Sequence, residues 1–247
     1  MQFEEMRARI RTGDGFIAAL DQSGGSTPKA LKGYGIDEES WSSDEEMFGL
    51  IHAMRSRIIT SPCFANGKVI GAILFERTMD GEIGGTAVPQ ALIGQGVVPF
   101  IKIDKGLEDE SGGVQLMKPM PDLGALLERA RGLGMFGTKE RSVIHLADGA
   151  GIAAVVAQQF EVAERVLAHG MVPIIEPEVS IKSPERDAAD RILLREILKQ
   201  LDAVPAGQEV MLKLTIPAEA GLFRPLVDHP RVLRVVALSG GFSRAEA

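Results

Sequence analysis

Short runs of apolar residues recur along the chain and predict buried β-strands. Each run is nearly continuous in Val, Ile and Leu, without the regular polar alternation of a half-exposed strand, which is typical of parallel strands covered on both faces. Seven such runs occur, at Gly15–Asp21, Val69–Glu76, Val98–Asp104, Arg141–Leu146, Val172–Val179, Glu209–Ile216 and Val232–Ser239. We therefore expect seven parallel strands.

Segments with helical spacing separate these runs. Ser43–Ile59 carries acidic residues in its first turn and basic residues near its end, the charge order that the helix dipole favours. Ile152–His169 is followed by a glycine, a natural helix stop. Further helices are predicted over Asp122–Leu133 and over Pro184–Leu201, the latter with Ser183 as its N-cap. Alternation of strands and helices along the whole chain predicts a parallel α/β fold.

Two α/β folds fit this alternation, an open doubly wound sheet and a (β/α)8 barrel. The polar residues that could carry chemistry lie in or at the ends of many different strands, rather than around one crevice. Barrels distribute functional groups in this way. We therefore predict one domain over residues 1–247, a (β/α)8 TIM barrel whose eighth strand is absent from this sequence.

Composition and charge exclude several classes of protein. The 247 residues carry 27 Lys and Arg against 34 Asp and Glu, a net charge of −7, which argues against nucleic-acid binding. No apolar stretch reaches the length of a membrane span. Cys63 is the only cysteine, which favours a cytoplasmic protein. The four histidines lie far apart, so no metal centre is expected; they are His52, His145, His169 and His229.

Lys213 is the most informative single residue. Strand alternation places it on one face with Met211 and Thr215, while the neighbouring leucines occupy the other face. On an edge strand this would be a solvated lysine. In a barrel the apolar face meets the helices and Lys213 points into the interior, where burial disfavours the charged amine. A neutral amine is a nucleophile that forms a Schiff base with a ketone.

Charged residues on other strands follow the same parity. They are Asp21 at the end of the first strand, the pairs Lys102 and Asp104, Lys139 and Arg141, and Glu176 and Glu178. Each alone could be a solvated strand end. Three lysines aimed at one centre would repel each other, which favours a neutral amine, and the carboxylates would offset the charge and supply acid/base groups.

Two glycine-rich segments are candidate anion sites. Leu238–Ser243 follows the seventh strand, where barrels often bind phosphate through backbone N–H groups. Asp21–Thr27 follows the first strand and has a similar composition. Both could also be ordinary glycine-rich loops, and neither fits a dinucleotide-binding or Walker A pattern.

Taken together, these residues resemble the class I, Schiff-base fructose-bisphosphate aldolases, particularly their bacterial branch. The resemblance runs the length of the chain, and seven motifs in one order carry it where each alone would be weak. The motifs are Ala19–Ser26 (ALDQSGGS), Ile73–Glu76 (ILFE), Ile101–Gly106 (IKIDKG), Lys139–Arg141, Pro173–Glu178 (PIIEPE), Leu212–Lys213 and Leu238–Gly241 (LSGG).

The resemblance implies a role for each matching position. Lys213 would be the Schiff-base lysine, Glu176 the acid/base of carbinolamine formation and dehydration, and Asp21 the group that assists proton loss from the C4 hydroxyl. Lys139 would stabilise developing charge. The implied substrate- and phosphate-binding residues are Lys102, Arg141, Ser23, Ser26, Glu178, Ser239, Gly240 and Gly241.

Three departures from the family pattern stand out. Eukaryotic members carry a Lys-Arg pair after the first loop, and Lys29 and Ala30 stand here. Glu140 occupies the place of a tryptophan between Lys139 and Arg141. The family pattern also continues past residue 247 with a helix and an eighth strand that carries a phosphate-binding arginine, so we expect further chain to complete the barrel.

The resemblance implies reversible cleavage of fructose 1,6-bisphosphate to dihydroxyacetone phosphate and glyceraldehyde 3-phosphate. No metal or other cofactor is implied, because an iminium does the electrophilic work of a Lewis acid. Two alternatives remain open: a Schiff-base barrel aldolase for another phosphosugar, and a non-catalytic sugar-phosphate-binding protein. The expected partners are the bisphosphate, the triose phosphates and further copies of the chain in a homo-oligomer.

Overall fold

The computed structural model describes residues 1–64 and 66–238, which group into two compact units. The first unit contains Met1–Lys102 and Arg129–Phe136, and the second contains Ile103–Glu128 and the chain from Gly137 onwards. The chain therefore passes from one unit to the other three times, and neither unit is a single continuous stretch.

The first unit is built on a three-stranded parallel sheet. Its elements are α1 (Phe3–Thr12), β1 (Phe16–Leu20), α2 (Thr27–Gly33), α3 (Asp44–Ile59), β2 (Val69–Leu74), α4 (Glu76–Met79), β3 (Glu82–Ile83), β4 (Thr86–Ala87), α5 (Val88–Gly94) and β5 (Val98–Lys102). The strand order is β1–β2–β5, and β3 and β4 form a separate short hairpin. All six residues of the central strand β2 are buried, as its continuous apolar run predicts.

The second unit is built on four parallel strands. Its elements are β6 (Val114–Gln115), α6 (Leu123–Gly132, whose last turn belongs to the first unit), β7 (Gly137–Ile144), α7 (Gly149–Ala168), β8 (Val172–Val179), α8 (Arg186–Leu201), β9 (Val210–Thr215), α9 (Arg224–Val227) and β10 (Val232–Leu238). The order is β7–β8–β9–β10, with β6 antiparallel to β7. Of the helices in the described ranges, none has the length and apolar character needed to cross a bilayer.

One face of the second unit's sheet supplies its hydrophobic core. Ile175 of β8 and Leu212 of β9 belong to a buried cluster with Val156 of α7 and Leu193 and Ile197 of α8. Because side chains alternate along a strand, the residues between these apolar positions point to the opposite face. Five of the charged residues that the sequence singles out lie on that face, namely Lys139, Arg141, Glu176, Glu178 and Lys213.

All seven predicted strands are present, with one notable correction. The predicted fourth strand begins at Arg141, but β7 begins four residues earlier, at Gly137. The additional residues include Lys139 and Glu140, which are charged but buried. A prediction based on apolar runs excludes such residues, so it places the start of the strand too late.

The predicted start of the helix after β8 is also wrong. The helix begins at Arg186, and Glu185, not Ser183, occupies the N-cap position. The Ser183 hydroxyl instead accepts a hydrogen bond from the Glu185 N–H at 3.2 Å. The Glu185 carboxylate accepts a hydrogen bond from the backbone N–H of Ala147 at 2.8 Å. The residues just before the helix therefore bind the loop that follows β7.

Candidate active site

A buried carboxylate lies between two lysines on three neighbouring strands. The Nζ atom of Lys139 on β7 is 2.9 Å from Oε2 of Glu176 on β8, and the Nζ atom of Lys213 on β9 is 3.0 Å from Oε1. The exposed fractions of the three side chains are 5, 1 and 14%, respectively. Because these side chains are largely shielded from solvent, the carboxylate offsets the positive charges of both amines at short range.

Strand register brings these three side chains together. Lys139 lies opposite Ile174 and Arg141 lies opposite Glu176 in the parallel β7–β8 pair, so both basic residues share the face of Glu176. The structure thus groups three of the four predicted catalytic residues, on the face opposite the hydrophobic core. It also places the Lys213 side chain in a protein interior, rather than on a solvated edge strand.

The β8–β9 ladder opens at the level of this carboxylate. The two strands pair where Ile174 faces Met211 and Ile175 faces Leu212. At the next residue, the backbone N–H of Glu176 donates to Oε1 of Gln159 on α7 at 2.9 Å. Sequence analysis overlooked Gln159, although a single amide on the otherwise apolar buried face of α7 was a detectable signal.

A second ion pair lies further along the same strands. The Nε atom of Arg141 donates to Oε2 of Glu178 at 2.5 Å, and the two side chains are 42 and 19% exposed. Arg141 and Glu178 are therefore much closer to solvent than the lysine–carboxylate group. A partly exposed arginine side chain can bind a phosphate or a hydroxyl group of a substrate.

The remaining described candidates lie in the first unit, at the carboxyl ends of its strands. Asp21 directly follows β1 and Lys102 ends β5, on either side of β2. In the loop after Asp21, the Ser26 hydroxyl donates to the Ser23 carbonyl at 3.0 Å, and the Ser23 N–H donates to the Ser26 hydroxyl at 3.1 Å. These two hydrogen bonds stabilise the turn that contains both serines.

Arg55 of α3 anchors this loop and was not identified from the sequence as a site residue. The side chain is buried, and its two terminal nitrogens donate to the Thr78 hydroxyl and to the Gln22 carbonyl, both at 2.6 Å. Burial lowers the pKa of Arg55 to about 10, and the nearby Asp21 carboxylate acts in the opposite direction. A buried guanidinium thus holds the residue that follows Asp21.

Glu140 lies on the core-facing side of β7, opposite Ile175. It is completely buried, and burial raises the pKa of its carboxyl group well above the usual range. The Thr138 hydroxyl donates to its Oε2 at 3.3 Å. The carboxyl group thus behaves as a neutral core group over a wider pH range than an exposed glutamate, and it does not share the face of Glu176.

The three remaining candidates, Ser239, Gly240 and Gly241, lie outside the described residues. Their assignment as a phosphate-binding segment stays a prediction from the sequence. The described chain ends at Leu238, the last residue of β10, so the predicted segment directly follows the strand beside the one that carries Lys213.

Comparison with known proteins identifies the family of this chain. The sequence model of the class I fructose-bisphosphate aldolases matches residues 4–219, most of the chain. The chain belongs to this family. A fructose-bisphosphate aldolase class 1 from Porphyromonas gingivalis is 55% identical over 245 residues, which are 99% of this chain and 83% of that protein.

A solved aldolase structure supports the fold assignment. Fructose-bisphosphate aldolase from Plasmodium falciparum, crystallised with TRAP and a small-molecule inhibitor, is similar with a TM-score of 0.76 over 99% of this chain and 77% of its own. At 21% identity this likeness concerns the fold. It confirms the predicted TIM-barrel class, and family membership makes this chain a class I aldolase, a lyase.

Proposed function

We propose that this aldolase cleaves fructose 1,6-bisphosphate reversibly through a Schiff base on Lys213. The observation that carries the residue assignment is the position of Glu176, whose carboxylate oxygens lie 2.9 and 3.0 Å from the amines of Lys139 and Lys213. A lysine that must lose a proton before it attacks needs a base at that distance.

In the first half of the proposed reaction, Lys213 transfers a proton to Glu176 and its neutral amine attacks the C2 ketone. Negative charge develops on the ketone oxygen during this attack, and the Lys139 ammonium stabilises it. A proton then passes from the new ammonium nitrogen to that oxygen, which gives the neutral carbinolamine. Glu176 returns a proton to the departing hydroxyl group, water leaves, and an iminium remains. The first of these transfers covers the 3.0 Å that separates the Lys213 amine from the Glu176 carboxylate.

In the second half, the iminium accepts the electron pair of the C3–C4 bond. Asp21 takes the proton of the C4 hydroxyl, so glyceraldehyde 3-phosphate leaves as an aldehyde and an enamine stays on Lys213. Protonation of the enamine and hydrolysis of the iminium release dihydroxyacetone phosphate and restore the amine. Lys102 and Arg141 supply positive charge for the substrate, with Ser23, Ser26 and Glu178 as further polar contacts.

The phosphate at C1 is assigned to the segment that contains Ser239, Gly240 and Gly241, because a glycine-rich turn after a barrel strand exposes backbone N–H groups to anions. We assign the reaction to glycolysis and gluconeogenesis in the cytoplasm, with the enzyme as a homo-oligomer. A sequence with a single cysteine, and hence without an intrachain disulfide, supports that compartment.

Turnover measurements on the purified chain test the proposal. Dihydroxyacetone phosphate release from fructose 1,6-bisphosphate should proceed equally with and without excess EDTA, because the iminium replaces a metal as electron sink. Loss of activity on chelation that zinc restores would contradict the mechanism. A higher kcat/KM for another phosphorylated ketose would replace the substrate assignment, and binding without turnover would favour a sugar-phosphate-binding protein.

A further inference from the structure

The backbone N–H of Glu176 makes a hydrogen bond that is unusual for a residue within a parallel sheet. The N–H of Glu176 is directed to a side chain of α7, not to a neighbouring strand. On the other side, β9 keeps its pairing with β10 through Thr215. The change is therefore confined to the seam between β8 and β9, where Glu176 and Lys213 project.

A second side-chain bond bridges the same seam further along. The Thr215 hydroxyl donates to the Val179 carbonyl at 2.8 Å in a buried position. Between this bond and the pair of Ile175 with Leu212, the described β8–β9 register contains no further pair. In this interval the Gln159 amide accepts the hydrogen bond of the Glu176 main chain.

The orientation of the Gln159 amide follows from its partner. Because the Glu176 N–H is a donor, the oxygen of the amide must face it. The Nε2 atom of the same amide is buried and has no hydrogen-bond partner within residues 1–64 and 66–238. A buried amide satisfied at one end only costs stability, so an interaction with Glu176 accounts for its position better than a contribution to the core.

We propose that Gln159 is a positioning residue for the reaction, holding the Glu176 backbone so that the carboxylate stays between Lys139 and Lys213. The proposal rests on the proposed function of Glu176. Gln159 touches neither lysine in the described contacts and acts through Glu176 alone. Its removal should therefore change the rate of the proton-transfer steps more than the binding of substrate.

Gln159→Met tests this directly, because methionine keeps the length and approximate volume of the side chain and removes the acceptor. We expect kcat to fall by about 10- to 100-fold, as for other small displacements of a catalytic group, with KM changed less than about two-fold. Gln159→Glu, which keeps an oxygen acceptor at the same position, should recover most of the lost kcat.

The neighbouring Gln158 provides a matched control on the same helix. Its amide accepts from the Met117 N–H at 2.8 Å and donates to the Met117 carbonyl at 3.0 Å. Gln158→Met thus loses two hydrogen bonds of the same kind away from Glu176, and kcat should stay within about two-fold of the wild-type value. Equal kcat values for the two methionine variants, or no recovery in Gln159→Glu, would overturn the proposal.

Two further measurements keep the outcome interpretable. If Gln159→Met does not fold, Gln159→Asn keeps the amide one methylene shorter, and an unchanged kcat there would also overturn the proposal. Hydrogen exchange of the peptide that covers Val172–Val179 needs no substrate. Faster exchange in Gln159→Met than in Gln158→Met would support the contact even if the wild-type protein failed to cleave fructose 1,6-bisphosphate, while equal exchange would count against it.

Discussion

The Glu176 carboxylate contacts both Lys139 and Lys213. We therefore predict that replacing one of its oxygen atoms with nitrogen lowers the activity strongly. In Glu176→Gln, an amide replaces the carboxylate that accepts the Lys213 proton in the proposed mechanism, and an amide cannot act as a base. We expect kcat for fructose 1,6-bisphosphate cleavage to fall by about 10²–10⁴-fold, the usual share of general acid–base catalysis. Glu140→Gln makes the same chemical change on the opposite face of β7 and should leave kcat within about two-fold. Similar losses in both variants would contradict the assignment.

Glu140 predicts a pH dependence of stability. Burial, followed by the nearby carboxylates of Asp104 and Glu176, raises the pKa of Glu140 well above its ordinary value of 4.5, while Thr138 and Lys139 act in the opposite direction. Above that ordinary value the unfolded chain has lost a proton that the folded protein keeps, so this residue lowers the free energy of unfolding as pH rises. The slope is up to about 1.4 kcal/mol per pH unit, until Glu140 ionises in the folded state.

Urea unfolding of the wild type and of Glu140→Gln checks this prediction. The variant has no proton to lose at this position, so its free energy of unfolding should rise relative to that of the wild type as pH increases above 4.5, the ordinary pKa of the carboxyl group. Parallel stability curves over that range would show that Glu140 is not a protonated core group.

At the scale of elements, the contact between α3 and the loop after β1 depends on one buried guanidinium. Arg55→Met removes the donors to the Thr78 hydroxyl and the Gln22 carbonyl and removes a positive charge that interacts with Asp21. We expect the free energy of unfolding to fall by about 3 kcal/mol. We also expect kcat/KM to fall, because Asp21 adjoins Gln22, whose carbonyl Arg55 no longer holds.

Arg57 offers a control on the same helix. It is exposed and stacks on Tyr34, with its guanidinium carbon 5.4 Å from the ring centroid. Arg57→Met should cost about 1 kcal/mol or less and leave activity unchanged. Equal losses in the two variants, measured by urea unfolding and by turnover, would remove Arg55 from its anchoring role.

Strands whose burial follows apolar patterning were the most predictable from the sequence. β2 matches its predicted bounds to within two residues because it is a continuous apolar run. β8 matches its predicted bounds as well, since apolar residues begin and end it on either side of Glu176 and Glu178. β7 starts earlier than predicted because Lys139 gains its partner Glu176 only when β7 and β8 assemble, and Glu140 is buried with Thr138 of its own strand as its hydrogen-bond donor. Parity alone placed Lys213 and Glu176 on a common side, but the Gln159 contact joins a helix to a strand, and no spacing along the chain encodes it.

At the scale of the whole molecule, the passage of the chain between its two units predicts cooperative unfolding. Each unit contains two separate stretches of sequence, so neither can be completed by a continuous segment folding alone. Trp41, the only tryptophan, lies in the first unit, while far-ultraviolet circular dichroism follows the helices of both. The two signals should change at the same urea concentration, as expected for one domain over residues 1–247. Loss of the Trp41 signal while much of the helical signal remains would contradict this prediction.

The most direct test of the central claim is to locate the covalent link to substrate. Borohydride reduces an iminium to a stable secondary amine, so dihydroxyacetone phosphate and borohydride together should add mass to one peptide. We predict that the added mass maps to Lys213, that Lys213→Ala takes up none, and that label is absent when substrate is omitted. Label on Lys102 or Lys139 in the wild-type protein, or continued labelling of Lys213→Ala, would contradict the assignment of Lys213 as the Schiff-base lysine.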